Sequence, residues 1–233
     1  MLALIAAMDE ELAGIRDSMI IDGAEQRSGI AVQLATRGNK KVLLVKSGVG
    51  KQRSMRTCKA FLDRYPVTAM VSMGFAGALR ADLKVGELVA CSSMACAEPS
   101  VNLRYESDER LLGLAMDCRT IELQSGTGVT ASKLVASGGR KRALFESTKA
   151  DIVDMESYWI GLIAAQNGIP FIAVRAISDS ATDSLPELPS YRPRHTIPYF
   201  AMHPLQGISL YRGVARARAN MAAFAGYIIE VAA

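Results

Sequence analysis

The stretch NGIPFIAVRAISD, residues 167–179, joins a helix to a strand and so decides the fold class. Gly168 stands where a helix end favours a residue free to take positive φ, and Pro170 cannot continue a helix. Residues 155–167 before it carry apolar side chains at helical spacing, whereas residues 171–176 form a short apolar run of the kind found in buried strands. Working outward, similar runs occur at residues 2–7, 41–46, 69–73 and 88–91, and helical spacing returns at 52–64 and 209–231. Strands alternating with helices predict an α/β fold in three layers, with a mixed, mainly parallel sheet flanked by helices. Chemistry in such sheets gathers where the strands end.

The chain of 233 residues is expected to form one domain over positions 1–233. Half of it is hydrophobic and 21% charged, which excludes a disordered chain. A net charge of +4 is small, and the basic clusters at 140–142 and 212–218 read as solvated faces, so nucleic acid is not an expected partner. No apolar run reaches about 18 residues, which argues against a membrane span. The opening MLALIAAMDEE lacks the basic start and small-residue cleavage site of a secretory signal, and the expected location is the cytoplasm. Cys58, Cys91, Cys96 and Cys118 form no C-x-x-C pair and read as reduced thiols. His195 and His203 lack a third clustered ligand, so neither a metal nor another cofactor is expected. No Ser occupies a G-x-S-x-G turn, which disfavours covalent catalysis.

Four constellations remain. MDEE, residues 8–11, follows the first strand; its acids either favour the positive end of a helix or place a general base in a cleft. SGVGK (47–51) and GFAG (74–77) follow strands, and their glycines either make turns or let backbone amides approach a ligand. Neither fits the nucleotide-binding glycine patterns. VDMES (153–157) opens a helix with acids that either cap it or accept hydrogen bonds from a ribose diol, with Met155 against the sugar. Finally, the buried strand ends in Arg175, Ser178 and Asp179; the Arg needs a carboxylate partner, and the Asp is placed to act as an acid.

Taken in order, AAMDEEL, KSGVGK, SMGFAGAL with LKVGELV, VDMES and PFIAVRAISDSATD resemble the nucleoside phosphorylase/nucleosidase superfamily, and within it the 5'-methylthioadenosine/S-adenosylhomocysteine nucleosidases. The matches cover roughly residues 1–90 and 150–183. The resemblance implies metal-free cleavage between a purine and its ribose. Glu11 would activate water, Glu156 would hold the ribose hydroxyls beside Met155, and Asp179 would protonate the purine with support from Ser178. Phe75, Ala76, Gly77 and Arg175 would line the substrate site, and a homodimer partner would close it. Phe75 departs from the Ser or Thr common in the nucleosidases, and GFAGAL with the KRAL segment at 141–144 resembles the hopanoid-associated phosphorylases instead. Phosphate is therefore the alternative co-substrate, although acids beside a phosphate are unfavourable and MDEE favours water. The base is expected near either residues 126–129 or Leu134 and Val135. Tyr191, Tyr199 and Phe200, in a Pro-rich segment at 185–204, either wall a large 5' group or pack a surface loop among themselves.

Overall fold

The computed structural model describes the backbone of residues 1–27, 30–185 and 204–233. Most of the Pro-rich segment, with its three aromatics and both histidines, lies outside them.

The chain starts with β1 (Leu2–Ala6), α1 (Asp9–Arg16) and the antiparallel β2 (Ile20–Arg27), β3 (Ile30–Arg37) and β4 (Lys40–Lys46). Next come α2 (Lys51–Leu62), β5 (Ala69–Ala78), β6 (Leu88–Cys96), β7 (Arg104–Glu106), α3 (Glu109–Met116) and β8 (Leu123–Thr130). Finally, α4 (Gly138–Thr148), β9 (Ile152–Asp154), α5 (Ser157–Gln166) and β10 (Phe171–Asp179) lead to a long helix, α6 (Pro204–Ala232). The expected α/β architecture is present, with helices packed against a sheet of ten strands.

Parallel pairing joins β4, β1, β5 and β10 side by side, and these strands are buried on both faces. That burial explains their continuous apolar runs. Five of the ten pairings among the described residues are antiparallel, so the sheet is less parallel than expected; β2, β3 and the short β7 and β9 lack the apolar runs that marked the other strands. β10 pairs with both β5 and β6, and β6, β8 and β9 lead back to β5, so five strands close into a ring. A closed ring leaves no free edge at the strands that end in acids.

Two apolar clusters flank the sheet. One packs Leu12, Ile15, Met221, Phe224 and Ile228 of α1 and α6 on one face, and the other packs Cys58, Phe61, Ile160 and Ile163 of α2 and α5 on the opposite face. Met70, Val71 and Met73 are core side chains. Gly126 and Gly128 serve packing: an added Cβ would lie 2.9 Å from Val89 Cγ1 and 2.4 Å from Met94 Sδ, respectively. The thiols are free, with Cys58, Cys91 and Cys118 buried. No described helix is long and apolar enough to cross a membrane.

Candidate active site

Three acids of MDEE separate by environment. Asp9 is half exposed, pairs with Lys46 and lies 3.1 Å from Arg16; the Lys46 hydrogen bond holds its carboxyl below the usual range. Glu10 is exposed. Glu11, third residue of α1, turns back toward the strand end and is buried. Its Oε2 accepts from the backbone amides of Ala7 and Met8, both at 2.9 Å, and its Oε1 accepts from the amide of Phe75 at 2.8 Å. The contact with Met8 is the carboxylate half of a capping box. Burial pushes the Glu11 carboxyl up, only partly offset by these amides and the Arg175 charge. Its hydrogen-bond donors are all neutral, so it keeps the proton affinity a general base requires.

Such close approach to β5 needs a residue without a side chain. A Cβ on Gly74 would sit 2.6 Å from Glu11 Oε1. The glycine turns do approach an anion, then, but one belonging to the protein. The same holds at Gly50, whose φ of +86° points its amide at Glu156 Oε1, 2.7 Å away. Glu156 stands in the turn between β9 and α5, and the helix starts at Ser157, two residues later than the start at 155 expected from the sequence. Asp154 ends β9 and its carboxylate accepts from the Ser157 amide, so the helix begins only beyond Glu156. Met155 is half-buried beside it. Burial, then the neighbouring Asp154 charge, raise the Glu156 carboxyl to about 8.

Arg175 meets the expectation of a buried guanidinium with a carboxylate partner, and the partner is Asp154. Nε lies 2.9 Å from Asp154 Oδ2, and a terminal nitrogen donates to Ser72 Oγ at 2.8 Å. Thr130 donates to the other Asp154 oxygen. Arg175 thus sits behind Glu11 and Glu156 as a shared positive charge while its own hydrogen bonds go to protein groups.

At the far end of β10, the pairing with β5 slips between Ile177 and Asp179, so that Asp179 lies opposite Gly77. Ser178 is the extra residue of this bulge, a device that re-aims the side chain following it. Ser178 Oγ is within hydrogen-bond reach of Asp179 Oδ1 and of the Ala76 carbonyl. Asp179 Oδ2 receives the ammonium of Lys141, from the first turn of α4, which also donates to the Ser180 carbonyl. Both ionisable side chains are buried. Gly77 makes room for them, because its added Cβ would lie 3.0 Å from Asp179 Oδ2 and 3.6 Å from Lys141 Cε.

Glu11 and Asp179 therefore stand at the two ends of the tetrapeptide Gly74 to Gly77, roughly 10 Å apart along an extended strand. Phe75 contributes its amide to Glu11, while its half-buried ring packs on the core; Ala76 is buried and offers its carbonyl. Of the two stretches considered for the base, Leu134 and Val135 border a cavity of about 470 Å³, together with Glu98, Arg140 and Leu144.

Lys141 was missed because it sits in the run Arg140, Lys141, Arg142, which looks like a solvated face. Arg140 and Arg142 are exposed, as that reading requires; Lys141 is not. The available signal was its spacing, three and four residues before Leu144 and Phe145, which places it on the apolar side of α4. Asp154, the first acid of VDMES, caps α5 through the Ser157 amide and pairs with Arg175.

Comparison with known proteins gives the family and the fold. The sequence profile of the phosphorylase superfamily matches residues 1–192. A 5'-methylthioadenosine/S-adenosylhomocysteine nucleosidase of Bacillus thuringiensis (strain Al Hakam) is 26% identical over 200 residues, covering 77% of this chain and 86% of that protein. The fold matches the crystal structure of the nucleosidase of the same name from Neisseria meningitidis in complex with methylthio-immucillin-A. The TM-score is 0.81 at 22% identity, over 99% of this chain and 98% of that one. Futalosine hydrolase of Helicobacter pylori strain 26695 superposes with a TM-score of 0.81 at 21% identity, over 99% and 97% of the two chains. With a match over residues 1–192 and a superposable fold, the chain belongs to the phosphorylase superfamily.

Proposed function

We propose that the protein hydrolyses the N-glycosidic bond of a purine nucleoside, a 5'-substituted adenosine of the methylthioadenosine or S-adenosylhomocysteine type. The observation that carries this reading is Glu11, a buried carboxylate hydrogen-bonded by neutral amides and with its proton affinity raised. Such a group accepts a proton from water at the moment the water attacks C1'. The C1'–N9 bond breaks, its electron pair leaves with the purine, and a proton delivered at the Asp179 end neutralises the ring. The sugar passes through an oxocarbenium-like state whose positive charge the Glu11 carboxylate stabilises. Glu156 holds the ribose diol, and Met155 packs beside it.

Water is favoured over phosphate by charge. Lys46 is paired with Asp9, and Arg175 with Asp154, so the two cations best placed to bind phosphate near Glu11 are engaged. Phosphorolysis, including that of a bulky 5'-modified adenosine such as a hopanoid adduct, is the second reading. It draws on Phe75, which lacks the hydroxyl that would position a water.

Release of purine from methylthioadenosine, S-adenosylhomocysteine, futalosine and inosine, with and without phosphate, tests both readings. Phosphate-independent release of adenine with free sugar is expected. Formation of a sugar 1-phosphate would establish phosphorolysis instead. We also propose that the enzyme acts in the cytoplasm as a homodimer, to which the exposed Leu103 and Leu134 offer apolar surface; a monomer in sedimentation at assay concentration would end the dimer proposal.

A further inference from the structure

A carboxyl group that acts as an acid must possess a proton, yet both Asp179 oxygens face donors. Ser178 Oγ reaches Oδ1, and the Lys141 ammonium reaches Oδ2. An ammonium has only donors to offer, so Oδ2 accepts and the contact describes a carboxylate ion-paired to Lys141, while the single Ser178 proton is shared between Oδ1 and the Ala76 carbonyl. Lys141 is enclosed, with no exposed surface, and its remaining hydrogen bond goes to the Ser180 carbonyl. A lysine in such a place costs desolvation energy and side-chain entropy that a neutral residue would not.

We propose that Lys141 is the proton reservoir for leaving-group protonation, with Asp179 as the relay that touches the purine; the proposal rests on the nucleosidase reading. In the resting site the mobile proton belongs to the pair. As the C1'–N9 bond breaks, one N–H bond of Lys141 breaks, its proton passes to the Asp179 carboxylate, and Asp179 hands on one proton to a purine ring nitrogen. The pair is left as a neutral amine and a carboxylate. Glu11 simultaneously takes a proton from the attacking water. One proton is therefore lost at Lys141 and one gained at Glu11, and exchange with solvent restores both.

The surroundings suit this transfer. From β10 and the turn after it, the facing groups are Asp179 and the half-buried Ser180, whose amide is held by Asp183. From β5 there is only the Gly77 backbone, and from β9 Val153 packs beside it. Asp154, one residue on, is engaged by Arg175 and Thr130. Arg140 and Arg142 flank Lys141 on α4 but are exposed. Asp179 is thus the carboxylate in direct contact with Lys141.

Lys141 acts through Asp179 and is a positioning and proton-supplying residue, so its test is the pH profile of kcat/KM for adenine release from methylthioadenosine. Wild type, Lys141→Met and Lys141→Arg are compared. Without the lysine, Asp179 must keep a proton of its own, and the alkaline limb of Lys141→Met is expected to move down by at least about one pH unit, with KM at pH 5.5 changed less than about threefold. Arginine keeps the positive charge but does not release its proton. Its alkaline limb is expected lowest of the three, with kcat at pH 7.5 down by about 100-fold or more. A lysine serving only as an electrostatic clamp predicts the opposite: recovery of the wild-type profile by arginine. Where Lys141→Met unfolds, Lys141→Gln takes its place, with the same downward move of the alkaline limb expected.

An alkaline limb unmoved in Lys141→Met, or restored in Lys141→Arg, overturns the reservoir while leaving the nucleosidase reading intact. Wild-type protein that releases no purine from any substrate overturns both.

Discussion

Glu11 and Glu156 at one end of the site and Asp179 at the other are all buried carboxylates, but different chemistry holds them. The first two accept hydrogen bonds from backbone amides of Ala7, Met8, Phe75 and Gly50. Asp179 is gripped by two side chains, Ser178 and Lys141. Burial raises the proton affinity of the first pair, and neutral amides offset it only in part, so these groups are equipped to receive protons and hydroxyl donors. The side-chain partners of Asp179 include a cation and bring a proton with them. One end is built to take a proton and the other to give one, as simultaneous water attack and base departure require.

The harshest way to break that comparison is to make each end neutral. Asp179→Asn and Glu11→Gln should each lower kcat for adenine release by about 10²–10⁴-fold, the span of a lost general acid or base. Their pH profiles should differ in a telling way. Glu11→Gln should lose the acid limb and keep the alkaline one; if it also loses the alkaline limb, the division between the two ends fails.

A gentler intervention moves a carboxylate without removing it. Gly74→Ala places a Cβ against Glu11 Oε1. Steady-state kinetics should show kcat reduced by about 100-fold, the scale of a misplacement of about 1 Å, with a stability loss of about 1–3 kcal/mol from overpacking. Full activity in a folded Gly74→Ala protein would show that the amide cradle is dispensable.

The raised carboxyl of Glu156 makes a prediction about stability. Its folded value is about 8 against 4.5 for the free side chain, so the folded state binds the proton more tightly. The resulting stabilisation is complete below pH 4.5 and is lost as pH rises through 8. The unliganded melting temperature should therefore fall between pH 5.5 and 8.5, and Glu156→Gln should flatten the slope. An equal slope in wild type and variant would place the titration elsewhere. The smallest effect belongs to Asp9, which shares the motif with Glu11 but faces solvent. Asp9→Asn should change kcat less than about twofold and stability by less than about 1 kcal/mol, as for other exposed pairs.

How far the sequence revealed this arrangement follows from the same contrast. The strands 2–6, 40–46 and 171–179 announced themselves because burial on both faces demands unbroken apolar runs. Glu11 and Glu156 were legible because amide cradles rest on glycine turns, SGVGK and GFAG, close to the acids or recurring in a familiar order. The β2–β3 hairpin was not, since much of β2 is exposed and its polar residues dilute the pattern. Lys141 was harder to read: its partner lies 38 positions away, and within RKR the only local sign is its spacing to Leu144 and Phe145 on the apolar side of the helix. The bulge that aims Asp179 is likewise a property of strand pairing, visible only when β5 lies beside β10.

The five-strand ring has a consequence for the order in which the enzyme comes into being. Residues up to 78 contain β1 to β5 and every group that cradles Glu11, so the water-activating end can assemble while the later strands are still being translated. Closing the ring joins positions about 100 apart, Met70 to Phe171 among them. Contacts so distant form slowly because a long loop must be immobilised first. The nascent chain carries a finished base without an acid until β10 docks, and docking of that single strand switches on the chemistry.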